Sequence, residues 1–175
     1  MCQFENLKMK KYILVLLLFT LTFSFWNCEK DDICDAATAT TPKVVIEFYD
    51  IANPTVLKNV VNLGVIAPGF TNGFGFNNVS KISVPLKTIQ DTSVLNFIQN
   101  GSAEPTSDDN SDEVTFNYTR KVEYVSRACG YKTTFILDDT NPVTVTSDAS
   151  NWIQSATVSQ PNINNENETH VKIYF

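Results

Sequence analysis

Hydrophobic and polar residues alternate with a period of two along most of the chain, which is the pattern of half-buried β-strands. The longest such stretch, residues 114–127, is rich in β-branched and aromatic residues and is predicted to be a strand, with Gly130 marking a bulge or bend just beyond it. Shorter stretches of the same character lie at 43–49, 55–66, 82–86, 93–98, 131–137, 143–146, 153–158 and 170–175.

Turn-forming residues separate these stretches at the spacing of about 8 to 12 residues that is typical of sandwiches and barrels. No stretch between residues 42 and 175 has a convincing helical period. We therefore predict an all-β fold over residues 42–175, an antiparallel, immunoglobulin-like β-sandwich of about eight or nine short strands.

The amino-terminal region has a different pattern. Lysines at Lys8, Lys10 and Lys11 precede an uncharged apolar run over residues 12–26, which is too short to span a bilayer comfortably as a helix. A basic start followed by a short apolar run is typical of an export signal. We predict that residues 1–27 are a removable signal peptide, with Met9 as an alternative start.

The apolar run ends directly at Cys28, and this junction resembles the lipobox of bacterial lipoproteins, in which the cysteine thiol is acylated and becomes the first mature residue. Two or three acyl chains, at about 0.8 kcal/mol per buried methylene, would anchor the protein without a transmembrane helix. Trp26 and Asn27 are larger than the residues usual before such a cysteine. A soluble secreted protein cut elsewhere and an uncleaved amino-terminal anchor therefore remain alternatives.

Four charged residues follow the cysteine, namely Glu29, Lys30, Asp31 and Asp32. They resemble the export signal of Bacteroidota-type lipoproteins that are carried to the cell surface. We predict a lipidated tether over residues 28–41 and a location on the outer face of the outer membrane. The alternatives are an ordinary solvated linker and the periplasmic face.

The negative net charge of the chain limits the classes of molecule that it can bind. Removal of residues 1–27 takes away three lysines and one glutamate, so the formal net charge changes from −6 to about −8. Such a charge repels phosphate backbones and anionic headgroups. We expect no nucleic-acid partner, and we expect the lipid on Cys28 to be the contact with the membrane.

Cysteine pairing follows from the count. Cys2 leaves with the signal, and acylation of Cys28 would leave an even pair in an oxidising compartment. We predict a disulfide between Cys34 and Cys129. A reactive thiol or metal ligand at Cys129 is the alternative.

Several segments together resemble a family of small Bacteroidota lipoproteins that is classed as a domain of unknown function. The similarity covers nearly the whole mature chain. The resemblance implies that the protein is a lipoprotein of the cell envelope. It implies no particular activity, because the role of the family is unassigned. The segments that carry it are residues 28–34, 41–50, 124–132 and 170–175.

Candidate chemistry is sparse. His170 is the sole histidine and shares a strand face with Lys172 and Tyr174, so we expect a surface position without a catalytic role. Asp108, Asn110 and Asp112 have the spacing of the first ligands of a calcium loop, but Glu113 occupies the position where that loop requires glycine. We therefore predict no catalytic residues, no metal site and no cofactor.

The glycine-rich and aromatic stretch 69–76 lacks the lysine and hydroxyl residue of a phosphate-binding loop. Its phenylalanines could tuck into the core of a hairpin loop or stack on sugar rings.

Function is predicted only as a class. The leading hypothesis is a non-enzymatic, membrane-anchored lipoprotein that acts as an envelope or interaction module through its sheet faces and loops, with a glycan or an envelope protein as the candidate partner. The alternative is a glycan-binding accessory protein. That alternative requires a flat patch of exposed aromatic residues, for which the candidates are Phe74, Phe76, Tyr131 and Trp152. An enzyme would need two titratable groups facing each other in a pocket.

Overall fold

The computed structural model describes residues 11–16, 19, 33–103 and 106–175. Residues 11–16 and 19 are helical, and Thr106–Asp108 form a short 3-10 turn. Strands make up most of the remaining regular structure. Within these ranges, no helix is long and apolar enough to cross a membrane.

The described part of the chain forms twelve strands. The first six are β1 (Val44–Asp50), β2 (Asn53–Leu57), β3 (Leu63–Ile66), β4 (Phe74–Phe76), β5 (Lys81–Val84) and β6 (Thr92–Gln99). The other six are β7 (Asn110–Ser126), β8 (Gly130–Leu137), β9 (Val143–Val145), β10 (Ser155–Val158), β11 (Asn162–Ile163) and β12 (Val171–Tyr174).

These strands form two sheets. The five-stranded sheet has the order β10-β12-β1-β2, with β5 also paired to β1, and its β1/β12 pair is parallel. The seven-stranded sheet has the order β11-β8-β7-β6-β3-β4, with β9 also paired to β7. Strand β4 therefore lies at one edge of the seven-stranded sheet.

The core is built from the inward faces of both sheets. In β7, Val114, Phe116 and Tyr118 alternate with more exposed residues and are buried, as the period of two requires. Ile46 and Phe48 of β1 belong to the same buried cluster. Burial of these aromatic and branched side chains is the main stabilisation of the fold.

The predicted all-β sandwich is confirmed, with twelve strands instead of eight or nine. One reason is the stretch 55–66, which is not a single strand: β2 ends at Leu57 and β3 begins at Leu63, in different sheets. Asn62 between them has a φ of 51°, a left-handed conformation that interrupts an extended strand. The parallel pairing of β1 with β12 was also not predicted.

The chain divides into two compact units. The first consists of Met1–Ala36 and Ser126–Cys129. The second consists of Ala37–Val125 and Gly130–Phe175 and contains both sheets.

Candidate functional site

The first unit contains the predicted disulfide. Cys34 and Cys129 are bonded, with their Cα atoms 4.8 Å apart, and the bond joins positions 95 residues apart in sequence. Cys129 lies in the turn between β7 and β8, where its N–H donates a hydrogen bond to Ser126 Oγ at 3.0 Å. The disulfide prediction is confirmed. The alternative of a free thiol or metal ligand at Cys129 is wrong, because its sulfur is already bonded.

The predicted anchor lies outside the described residues. This applies to Cys28 and to the predicted export signal formed by Glu29, Lys30, Asp31 and Asp32. Lipidation and surface export therefore stay predictions.

Trp152 is not a surface aromatic residue, which corrects one of the four candidates for glycan binding. Its side chain is 7% exposed and its indole Nε1 donates to the carbonyl oxygen of Phe97 at 3.0 Å. Its ring packs against Phe175 at 5.3 Å and Phe48 at 6.4 Å between centroids. A buried indole needs a partner for its N–H, and Phe97 supplies it.

The other three candidates do not form one patch. Phe76 is partly buried against the core, whereas Phe74 on the edge strand β4 is 50% exposed. Tyr131 lies on β8, and three strands (β7, β6 and β3) separate β8 from β4. Instead, Tyr131 contacts Tyr124 of β7 with ring centroids 5.4 Å apart, and both rings are well exposed. The flat patch expected of all four residues is absent.

His170 is fully buried, so the expectation of a surface position is wrong. Its Nδ1 accepts the backbone N–H of Val45 at 2.9 Å, and its Nε2 has no partner among the described residues. Burial lowers the pKa of the imidazole, while Glu168 and Glu166 act in the opposite direction and Lys81 lowers the pKa further. The His170 side chain therefore binds the backbone of β1 and is buried away from the surface.

Asp112 does not belong to a calcium loop. The residue is fully buried, and its Oδ2 accepts the N–H of Ile153 at 2.7 Å, whereas Asp108 is exposed. No group of three or more potential ligands for a metal ion occurs among the residues that the structure describes. Asp112 instead fastens the segment before β10 to strand β7.

A closed set of hydrogen bonds joins the start of β6 to the middle of β7. The Tyr118 hydroxyl donates to the Lys87 carbonyl at 2.8 Å, and Ser93 Oγ donates to the Tyr118 oxygen at 2.7 Å. The Lys87 N–H donates to Ser93 Oγ at 2.8 Å and completes the cycle. Burial raises the pKa of the Tyr118 phenol, against the opposing effect of these hydrogen bonds. No polar group of the cycle is left without a partner.

Beside this cycle lies a cavity of about 300 Å³, which we call the Lys87 cavity. Its lining is mostly apolar, and its polar members are Lys87, Asn72 and Ser93. The apolar residues that line it include Val65, Ala67, Phe70, Phe74, Leu86 and Leu95.

This cavity could be predicted only in part from the sequence. The stretch 69–76 was identified as an aromatic loop, and the phenylalanines were expected either in the core or on sugar rings. Phe70 is 70% exposed and lines the cavity with Phe74. Gly73 keeps the loop close to β3, because a Cβ there would collide with the carbonyl oxygen of Val65. No sequence pattern identified Lys87 or Ser93 as residues of a binding site.

Comparison with known proteins places the chain in a family. A family model described as "Family of unknown function (DUF6452)" matches residues 69–175. The chain matches no curated protein and no solved structure. The resemblance to a family of unknown function is confirmed, while its lipoprotein character and its Bacteroidota origin stay predictions.

Proposed function

This chain belongs to DUF6452, a family of unknown function, and we propose a function for it on the basis of its own residues. The protein is a lipid-anchored, non-enzymatic interaction module of the cell envelope, carried on the surface of the outer membrane.

The observation that carries this proposal is the disulfide. Cys34 and Cys129 are bonded to each other, and Cys2 lies within the predicted signal peptide. Cys28 is then the one cysteine of the predicted mature chain that this disulfide does not use, and it stands at the junction that resembles a lipobox. The acidic segment that follows Cys28 supports surface export.

The placement of the titratable groups favours a binding role over catalysis. His170 bonds to the backbone of Val45, and Asp112 bonds to the backbone of Ile153. Lys87 is the one titratable residue among those that line its cavity. General acid–base chemistry needs a second group within reach, and nucleophilic chemistry needs an adjacent base.

The anchor is tested by the intact mass of the protein extracted from its native membrane without reduction. We expect the mass of residues 28–175 plus acyl groups, less the two hydrogens lost on disulfide formation. A Cys28→Ala variant should lose the acyl mass and leave the membrane fraction. An unacylated native mass would overturn the anchor.

Surface location is tested separately with intact cells. Protease added to whole cells should degrade the acylated protein, while a periplasmic control protein stays intact. Substitution of Asp31 and Asp32 by Ala should protect the protein from the protease without changing the mass contributed by its acyl groups. Equal protection of the native protein and the periplasmic control would place it on the inner side.

A glycan-binding role is the second candidate, and the pair Tyr124 and Tyr131 favours it. These rings are 63% and 71% exposed and contact each other in an edge-to-face arrangement. Exposed aromatic rings of this kind can stack on the apolar faces of sugars. Retardation on affinity gels that contain soluble neutral polysaccharides should be lost in Tyr124→Ala and Tyr131→Ala but kept in the exposed control Ile89→Ala. Unchanged mobility of the native protein on every such gel would exclude this role.

A further inference from the structure

We propose that the Lys87 cavity binds a single-chain amphiphile with an anionic headgroup, of the fatty-acid class. This inference goes beyond the proposed envelope role and does not depend on acylation of Cys28.

The shape and lining of the cavity suit an apolar tail. Its volume of about 300 Å³ lies at the lower end of the range of small-molecule sites, which are lined mainly by apolar side chains. Val65, Leu86 and Leu95 are buried and form its inner wall, whereas Phe70 and Phe74 leave apolar surface exposed beside it. An apolar occupant would remove that phenylalanine surface from water, which is favourable.

The buried polar side-chain atoms beside the cavity already have hydrogen-bond partners within the protein. Ser93 is the buried polar residue of the lining, and its hydroxyl is engaged by Tyr118 and by the Lys87 N–H. Tyr118 in turn donates to the Lys87 carbonyl. Because this cycle is closed, an apolar group can enter without leaving a buried hydrogen-bonding group unsatisfied.

Charge complementarity selects the headgroup. Lys87 is the one charged residue among those that line the cavity, and it forms no ion pair with any residue that the structure describes. The acidic residue of the same connection, Asp91, is already bound by Arg120 Nε at 2.6 Å. Lys87 is also solvent-exposed, so the ammonium group on its flexible side chain can turn toward a carboxylate at the cavity.

A single-chain ligand fits these features better than a membrane surface does. Attraction to anionic lipid headgroups requires a cluster of basic residues, whereas this chain has a formal net charge of −6 and offers one lysine at the site. One apolar cavity and one cation match one tail and one anionic head.

The test uses the full chain carrying Cys28→Ala, which cannot be acylated at Cys28, with the Cys34–Cys129 disulfide formed. Dodecanoate is added below its micellar concentration, and backbone amide shifts are followed by NMR. We expect saturable shifts centred on Ala67, Phe74 and Lys87. Shifts that do not saturate, or that centre on Tyr124 and Tyr131, would overturn the proposal.

The charge is tested by comparing dodecanoate with the neutral dodecanol. Lys87→Gln should weaken dodecanoate binding about fivefold, the effect of losing a partly exposed ion pair of about 1 kcal/mol, and should leave dodecanol binding unchanged. Lys121→Gln removes an exposed lysine on β7 and should change neither affinity. Equal affinities of Lys87→Gln and the native chain for dodecanoate would contradict the role of the ammonium group.

The apolar contact is tested by two further variants. Ala67→Phe fills the cavity and should abolish binding of both ligands. Phe70→Ala removes an exposed ring and should weaken binding of both, whereas Tyr131→Ala removes an equally exposed ring elsewhere and should not. If Phe70→Ala and Tyr131→Ala bind equally well, the ligand does not occupy this cavity.

Discussion

His170 and Val45 are joined twice. The imidazole Nδ1 of His170 accepts the Val45 N–H at 2.9 Å, and the backbone N–H of His170 donates to the Val45 carbonyl at 3.0 Å. Side chain and backbone of one residue thus close the start of the parallel pair β1/β12. The neutral imidazole is the form that can accept this bond.

Acid should therefore destabilise the fold through His170. Its pKa in the folded protein is lowered by burial, so between the ordinary value of about 6.5 and that lower value the unfolded chain binds more protons. The contribution of His170 to the free energy of unfolding should be constant above pH 7 and should fall as the pH decreases below about 6.5. Urea unfolding curves between pH 7.5 and pH 5 measure this slope.

The matched variant for this prediction is His170→Gln. Its side-chain carbonyl can still accept the Val45 N–H but does not titrate in this range. The variant should be less stable at pH 7.5 and should show a flatter dependence on pH. An identical slope in the variant would assign the pH dependence to other groups.

Removal of the disulfide should cost a large part of the stability. The closed segment spans 95 residues, for which the chain-entropy model gives roughly 4 to 5 kcal/mol. The double variant Cys34→Ala/Cys129→Ala should unfold at a much lower urea concentration than the oxidised native chain. A reductant should lower the midpoint of the native chain to a similar value and leave the variant unchanged.

Asp112→Ala should destabilise the protein by about 1 to 3 kcal/mol, since it leaves the buried N–H of Ile153 without an acceptor. Asp112→Asn keeps an acceptor oxygen and should cost less. Asp109→Ala, at an exposed position of the same region, should have little effect. Thermal unfolding measures all three, and equal losses for Asp112→Ala and Asp109→Ala would contradict this role for the carboxylate.

Tyr118→Phe should open the hydrogen-bonded cycle beside the Lys87 cavity. The Lys87 carbonyl and the Ser93 hydroxyl each lose a partner, so we expect a loss of about 1 to 2 kcal/mol. Tyr131→Phe alters an exposed hydroxyl and should be nearly neutral. Urea unfolding at pH 7 compares the two variants, and a neutral Tyr118→Phe would show that the cycle does not contribute to stability.

The errors in prediction have specific causes. His170 was expected on the strand face of Lys172 and Tyr174. Residues distant in sequence bury its side chain, and the alternation within one strand gives no information about those residues. The aromatic candidates failed in the same way. Trp152 is enclosed by Phe48 and Phe175, and Phe74 and Tyr131 belong to strands far apart in the order of the seven-stranded sheet.

The sequence alone predicted the features that follow from local residue patterns and from the number of cysteines. Period-two alternation depends on neighbouring residues, so it identified the strands and the inward face of Val114, Phe116 and Tyr118. The number and setting of the cysteines determined the pairing of Cys34 with Cys129. Only the tertiary structure decided the parallel β1/β12 pair, the burial of His170 and the meeting of Lys87, Ser93 and Tyr118. Each of these depends on contacts between segments that are distant along the chain, and those contacts form only when strands from different parts of the sequence pair in the folded protein.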